Sequence, residues 1–242
     1  MRTTRIYLDQ ALASGTTCSL PEEAAHHVAT VLRMKAGEEL VLFNGRGGSY
    51  RAEISRMEKR CVEVRVGTHE ADDRESPLAI TLAQAVMRGQ HMDYALQKAV
   101  ELGVQRIVPL MCLHGNVKLD EKQKQHRHGH WLRVIISACE QCGRNRIPQL
   151  TAPLQLAEWA GTDTGALKLI LHPRDGVRLS ELQSAGATLT LLAGPEGGFS
   201  DDEIACAQRH GYRSVTLGPR ILRAESAALV ALSICQARWG DV

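Results

Sequence analysis

The residues best suited to chemistry begin at Leu191–Glu203, LLAGPEGGFSDDE. An apolar run ends in Gly194-Pro195, and Gly197 and Gly198 permit positive φ or close backbone approach. Ser200 suits a helix N-cap, and Glu203 three residues on completes a capping box. Asp201 and Asp202 fill the first turn. Glycine-rich loops ahead of a helix often hold phosphate. A phosphate here is expected to meet Glu196, Asp201, Asp202 and Glu203. The stretch also lacks the Lys-Ser/Thr of a P-loop and the spacing of a dinucleotide loop. A neutral or cationic ligand fits better. The alternative is a tight, well-capped turn that binds nothing.

Two further stretches share this design. In Ser214–Leu232 a strand ends at Leu217-Gly218-Pro219, Ile221-Leu222 form a short apolar link, and a helix starts near Arg223. In Leu167–Gly176, LKLILHPRDG, a third strand runs into a loop. Ligands of open α/β sheets sit outside the carboxyl ends of strands. Three such ends describe one pocket of backbone and small apolar groups, suited to an adenine ring. A fourth cluster is Ser137-x-x-Glu140-Gln141-x-x-Arg144, with Asn145 and Arg146 beyond it. It opposes an apolar face of Trp131, Val134, Ile135, Ala138 and Cys142. From Lys118 to Arg146 there are seven Lys/Arg against three Asp/Glu, and His126, His128 and His130 add charge below neutral pH. That patch suits phosphate contacts, or is simply a solvated basic face.

The elements that must position these residues follow from periodicity. Strands are expected at Glu39–Phe43, Ser49–Ser55 and Cys61–Thr68, with a short helix over Pro21–Leu32, which makes a small β-rich domain. Its charge balances, with ten Lys/Arg and ten Asp/Glu in residues 1–72. The polar stretch Glu70–Pro77 marks a boundary. Beyond it, strands at Ala79–Val86, Arg106–Cys112, Leu167–Leu171, Thr188–Ala193 and Ser214–Leu217 alternate with helices. The helices are expected at Met92–Leu102, Gln123–Cys142, Leu154–Ala160, Leu179–Ala185, Asp201–His210 and Ala224–Arg238. Such alternation predicts an α/β domain with a mostly parallel sheet.

These motifs carry a family resemblance. LAGPEGGFSDDE followed by LGPRILRAESAALVAL resembles the SPOUT class of RNA methyltransferases and, more closely, its RsmE family. RIYLDQ (Arg5–Gln10) and HHVATVLRMKAGEELVLFNGRG (His26–Gly47) are similar to that family's PUA-like RNA-binding domain. Gln84–Leu110 and ACEQCGRNRIP (Ala138–Pro148) resemble its other signature segments. The resemblance implies a PUA-like β-barrel over 1–72 and a SPOUT methyltransferase domain over 73–242. The latter would have a parallel sheet and a C-terminal trefoil knot, a feature periodicity cannot reveal. It implies S-adenosylmethionine as donor and S-adenosylhomocysteine as product. It implies uridine N3 of 16S ribosomal RNA, in an assembled small subunit, as acceptor, and a homodimer. The family's donor motifs map onto Leu171, His172, Ala193, Gly194, Glu196, Gly197, Gly198, Leu217, Gly218, Ile221 and Leu222. RNA contacts are expected from Arg5 and Arg33 in the N-terminal segments, and from Arg88, Arg133 and Arg146.

Uridine N3 carries a proton at neutral pH, so methylation needs a base or a cation that stabilises charge on the flanking carbonyls. Glu140 and Glu225 are candidate bases, and Arg144 and Arg223 candidate stabilisers. The residues do not choose among these four, and Glu225 also has an ordinary place in the first turn of a helix. Lys98 and Glu101 lie one helical turn apart and suit a surface pair. Cys139 and Cys142 form a lone CxxC within a helix, so no metal is expected. The 242-residue chain is 44% hydrophobic with net charge +2, which excludes a polycation. Seven scattered cysteines, no secretory signal and no membrane-length apolar run point to the cytoplasm. Three rivals remain: a SPOUT enzyme for another base, an RNA-binding protein without catalysis, and a nucleotide-binding metabolic enzyme.

Overall fold

The structure, a computed structural model, describes residues 3–58, 61–183 and 186–242. The chain divides into two units, Met1–Glu75 with Cys139–Ile147, and Ser76–Ala138 with Pro148–Val242.

The first unit is built on β1 (Arg5–Tyr7), β2 (Thr17–Ser19), β3 (Glu39–Phe43), β4 (Ser49–Met57) and β5 (Val62–Glu70), in the order β1-β3-β4-β5-β2. β1 lies parallel to β3 and the other pairings are antiparallel. Val62, Val64 and Val66 are buried and alternate with Glu63 and Arg65, as a sheet packed on one face requires. With Ile6, Leu40, Leu42 and Ile54 they form one core. Two register shifts in the β4–β5 ladder curl the sheet. The expected helix over 21–32 is a short α1 (Glu22–His26) that runs into a π-helical turn, His27–Val31. Arg33 follows at φ +53°, the only non-glycine with positive φ among the described residues.

The second unit is a parallel sheet with helices. Its strands are β6 (Ala79–Ala85), β7 (Arg106–Met111), β8 (Gln149–Leu150), β9 (Leu154–Gln155), β10 (Leu167–Leu171), β11 (Val177–Arg178), β12 (Thr188–Ala193) and β13 (Arg213–Thr216). They lie in the order β11-β13-β10-β12-β6-β7-β8, with β9 also on β7. Leu189–Ala193 are buried without alternation, which a strand covered on both faces demands. The helices are α2 (Gln90–Glu101), α3 (Glu121–Cys142), α4 (Leu156–Thr162), α5 (Asp201–Arg209) and α6 (Ala224–Trp239). α4 and α5 cover a core of Ala83, Val108, Leu110, Ile170 and Leu192, while α2 packs on α6.

Two expected helices differ. Leu154 and Gln155 pair with β7, so α4 starts later, with Gln155 as N-cap and Glu158 closing a capping box. The expected helix over Leu179–Ala185 is one 3₁₀ turn, Leu179–Glu181, after which Leu182 is extended; residues 184 and 185 lie outside the described residues. No helix among the described residues is long and apolar enough to cross a membrane.

After β8 and β9, which pair with β7, the chain crosses to β10 on the far side of β6, and β12 pairs with both β10 and β6. This reversal opens a crevice at the carboxyl ends of β10, β12 and β13.

Candidate active site

A cavity of about 410 Å³ occupies that crevice, within the range of ~300–1,000 Å³ usual for small-molecule sites. Ten of the eleven expected donor residues line it: Leu171 and His172 after β10, Gly194, Glu196, Gly197 and Gly198 after β12, and Leu217, Gly218, Ile221 and Leu222 after β13. Ala193 does not; it is the buried last residue of β12. Phe199, Ile204, Ala224 and Ala227 complete the apolar wall. The His172 backbone N–H donates to Val215 O at 2.9 Å, and its Nδ1 accepts from Asp175 N–H at 2.7 Å. That bond orients the ring at the end of β10.

The loop after β12 is held from both sides. Ser200 Oγ accepts from Glu203 N–H at 3.2 Å, and Glu203 Oε2 accepts from Ser200 N–H at 2.9 Å. The other oxygen of Glu203 takes Leu113 N–H at 2.8 Å. A Cβ on Gly197 would lie 2.9 Å from His114 O, and Gly198 adopts φ +74°.

The charge expectation needs correction. Of the four carboxylates expected to face a ligand, only Glu196 lines the cavity; Asp201 and Asp202 are exposed, and Glu203 is engaged in the cap. Arg174 and Arg220, not singled out from sequence, line it as well. The helix end is closed to anions because the protein's own carboxylate occupies it, not because acids fill the pocket.

Beside the cavity, the first turn of α6 presents Glu225, 9% exposed, whose Oε1 lies 3.0 Å from His91 Nδ1. Ala224 and Ala227 face the cavity on that same turn, and Arg223, exposed, is the N-cap. His91 was missed because a lone histidine early in α2 has no pattern to mark it; its carboxylate partner is 134 positions away.

The other two reactive candidates, Glu140 and Arg144, belong to the first unit. Arg144 is 3% exposed; its Nε donates to Glu75 Oε1 at 2.9 Å and its Nη2 to Glu75 Oε2, a bidentate pair. The expected charge stabiliser is thus buried against a carboxylate. Glu140 Oε1 accepts Tyr7 N–H at 3.0 Å, and burial raises its carboxyl above the ordinary 4.5. Asn145 Nδ2 donates to Asp72 Oδ1 at 2.9 Å. Together these bonds stitch Cys139–Ile147 into its unit.

The expected RNA arginines divide. Arg33, Arg88 and Arg133 are exposed. Arg146 is exposed but contacts Asp73 Oδ2 at 3.4 Å and Arg46 O at 3.2 Å. Arg5 departs from expectation: its guanidinium lies 5.0 Å from the Phe43 ring centre and donates to Asn145 Oδ1, and burial lowers its pKa. Half-buried, it ties Asn145 to β1 within the first unit. Lys98 and Glu101 pair at 2.8 Å as expected.

The family model for an RNA methyltransferase domain matches residues 74–236, and that for an RNA methyltransferase PUA domain matches residues 20–67. A parallel α/β sheet with a cavity at its strand ends, joined to a PUA domain, defines the class: an RNA methyltransferase. A structure from Legionella pneumophila, solved with the bound cofactor SAM, is 44% identical, covers 100% of both chains and has a TM-score of 0.97. The ribosomal RNA small subunit methyltransferase E of Neisseria gonorrhoeae, bound to S-adenosyl methionine, is 35% identical over 99% of each chain, with a TM-score of 0.92. The protein of that name from Buchnera aphidicola (subsp. Schizaphis graminum) is 34% identical over 100% of this chain and 98% of its own length. The chain belongs to the ribosomal RNA small subunit methyltransferase E family.

Proposed function

We propose that this protein transfers a methyl group from S-adenosylmethionine to N3 of a uridine in 16S ribosomal RNA. The observation that carries this is the single cavity uniting the loops after β10, β12 and β13 in a chain of this family. Bound there, S-adenosylmethionine supplies a methyl already activated by its sulfonium. The cavity suits such a ligand: its wall is largely backbone and small apolar side chains, and Glu196 is the one carboxylate lining it. Backbone groups of Leu171, Gly194–Gly198, Leu217, Gly218, Ile221 and Leu222 would hold the donor. Arg174 and Arg220 suit its carboxylate.

Glu225 holds the His91 ring with its proton on Nδ1, the tautomer that leaves Nε2 as a proton acceptor. His91 then takes the N3 proton, and Arg223 stabilises the negative charge that spreads onto the uridine carbonyls. In this assignment Glu140 and Arg144 hold Cys139–Ile147 within the first unit and take no part in the chemistry. Arg33, Arg88, Arg133 and Arg146 contact RNA.

The finer features of the family belong to this reading: a PUA-type barrel over 1–72, a methyltransferase domain over 73–242 with a trefoil knot, a homodimer, and an assembled small subunit as substrate in the cytoplasm. On α6, Ala228, Ala231, Leu232 and Cys235 are buried and Ala227 lines the cavity, so the half-buried Leu229 and Val230 supply the dimer contact surface.

Two measurements test the proposal. Calorimetric titration should show S-adenosylmethionine binding to the wild type. Mass spectrometry of 16S RNA from a deletion strain should show one N3-methyluridine lost and restored by the wild-type gene. Restoration by Glu225→Ala or His91→Ala at full rate would remove the dyad from the mechanism; retention of the methyl in the deletion strain would remove the function.

A further inference from the structure

The methyltransferase reaction needs an opened substrate. Uridine N3 lies on the Watson–Crick edge, so a base pair hides it, and the acceptor segment must be presented as single strand. Its neighbouring bases then lose stacking partners. Proteins that hold single strands replace that stacking with aromatic rings, and hold phosphates with cations.

This chain has few rings to offer: two Phe, four Tyr and three Trp. Among the described residues, only the Tyr94 ring is exposed, at 42%. Phe43, Trp131, Trp159 and Tyr212 are buried, and Tyr7, Tyr50, Phe199 and Trp239 are half-buried.

Tyr94 sits in an open groove of about 510 Å³ between α2 and α3 of the second unit, apart from the donor cavity. Gln90, Tyr94 and Gln97 recur at i, i+4 and i+7 on one exposed face of α2. Opposite them α3 contributes His130, Arg133 and Ser137. His130 Nε2 lies 2.9 Å from both carboxylate oxygens of Asp93, which fixes the groove's floor. Arg133 is exposed, and no carboxylate pairs with it among the described residues. A ring, two amides, a hydroxyl and an unneutralised guanidinium are the groups a nucleotide needs: a face to stack on, partners for the base edge, and a cation for phosphate.

We propose that the α2–α3 groove binds a nucleobase of the substrate RNA next to the methylated uridine. The base stacks on Tyr94, Gln90 and Gln97 meet its edge, and Arg133 meets its phosphate. This rests on the RNA methyltransferase reading above and adds a subsite to it.

Anisotropy of a labelled, unstructured 12-mer oligoribonucleotide tests it on the full chain. Tyr94→Ala should weaken binding by roughly 5- to 150-fold, the range that one stacked base gives. Tyr94→Phe should bind within about twofold of wild type, because the ring carries the contact. Arg133→Ala should weaken binding and lower the salt dependence by about 0.7 in slope. S-adenosylmethionine affinity should be the same in all four proteins, which also reports that they are folded. Undiminished RNA binding by Tyr94→Ala overturns the proposal, as does a wild type that binds no RNA. A change in sedimenting mass with Tyr94→Ala also overturns it, since the groove would then be an interface between copies. If wild type binds through Tyr94 but methylates no uridine, the groove stands and the proposed reaction falls. If it methylates and Tyr94 is irrelevant, only the groove falls.

Discussion

The two neighbouring glycines of the β12 loop are needed for different reasons, and the difference can be measured. A Cβ on Gly197 would lie 2.9 Å from His114 O and 3.0 Å from His114 Cβ. Neither atom is the end of a flexible side chain, so Gly197→Ala must displace backbone. Overpacking of this kind costs about 1–3 kcal/mol. A Cβ on Gly198 would meet nothing within 4 Å, but its φ is +74°, and the left-handed conformation costs an alanine about 1–2 kcal/mol. Asparagine tolerates that region better. The loop borders the cavity, so relief of the Gly197 clash pushes it away from His114 and changes the donor wall. The expected order of loss is Gly197→Ala first, Gly198→Ala next and Gly198→Asn least. For Gly197→Ala the donor dissociation constant should rise roughly 5- to 150-fold, if all of the cost appears in binding. Calorimetric titration of S-adenosylmethionine, with thermal unfolding of each variant without donor, divides the cost between affinity and stability. Unchanged affinity and unchanged unfolding in Gly197→Ala would refute the steric argument. A greater loss in Gly198→Ala than in Gly197→Ala would refute the assignment of the two roles.

Two further outcomes concern the first unit. Arg144→Ala should destabilise the protein by about 3 kcal/mol, because it leaves the Glu75 carboxylate, largely covered, without its bidentate partner. In urea melts the double variant with Glu75→Ala should lose less than the sum of the two singles; strict additivity would mean that the pair is not coupled. Burial raises the Glu140 carboxyl above 4.5, so the folded state holds its proton more tightly than the unfolded one. Stability from this group is therefore greatest below 4.5 and falls as pH rises through the raised value. Glu140→Gln keeps an oxygen for Tyr7 N–H and removes that penalty. Its Tm should exceed the wild type's at pH 8, and the gap should close toward pH 4.5; a gap that does not vary with pH would contradict the burial argument.

The parallel sheet is legible in sequence because its strands are buried on both faces. Leu189–Ala193 stands out as a run broken only by Thr190 and is buried throughout, Leu167–Leu171 carries a single lysine among leucines and isoleucine, and the glycines beyond them mark where the chain turns. The pocket follows, since loops at neighbouring strand ends must converge. The three-residue strands β1 and β2 are too short to show a period. The roles of single charges are hidden for another reason. Arg144 and Arg5 look like surface cations, and what buries them are partners 69 and 140 positions away. Such partners are set by the tertiary fold, and no local pattern announces them. His91 is invisible in the same way, because Glu225 gives it significance only when α2 and α6 pack together.

The carboxylates after Gly198 illustrate how a correct conclusion can rest on a misplaced group. Their crowding suggests a pocket that repels phosphate. In the structure none of the three, Asp201, Asp202 and Glu203, reaches it. Glu203 closes the capping box with one oxygen and anchors Leu113 N–H with the other. Asp201 and Asp202 face solvent in the first turn, where their charge favours the helix dipole. The free N–H groups and positive end that make a helix start attractive to phosphate are thereby used inside the protein. What remains at the cavity is uncharged backbone, with Glu196, Arg174 and Arg220 also on its lining. That balance suits a donor carrying both a carboxylate and cationic groups. It also separates tasks: the acids keep the loop in place, and the backbone they fix forms the ligand's wall. Removing Glu203 should therefore loosen donor binding through the loop, although Glu203 does not line the cavity.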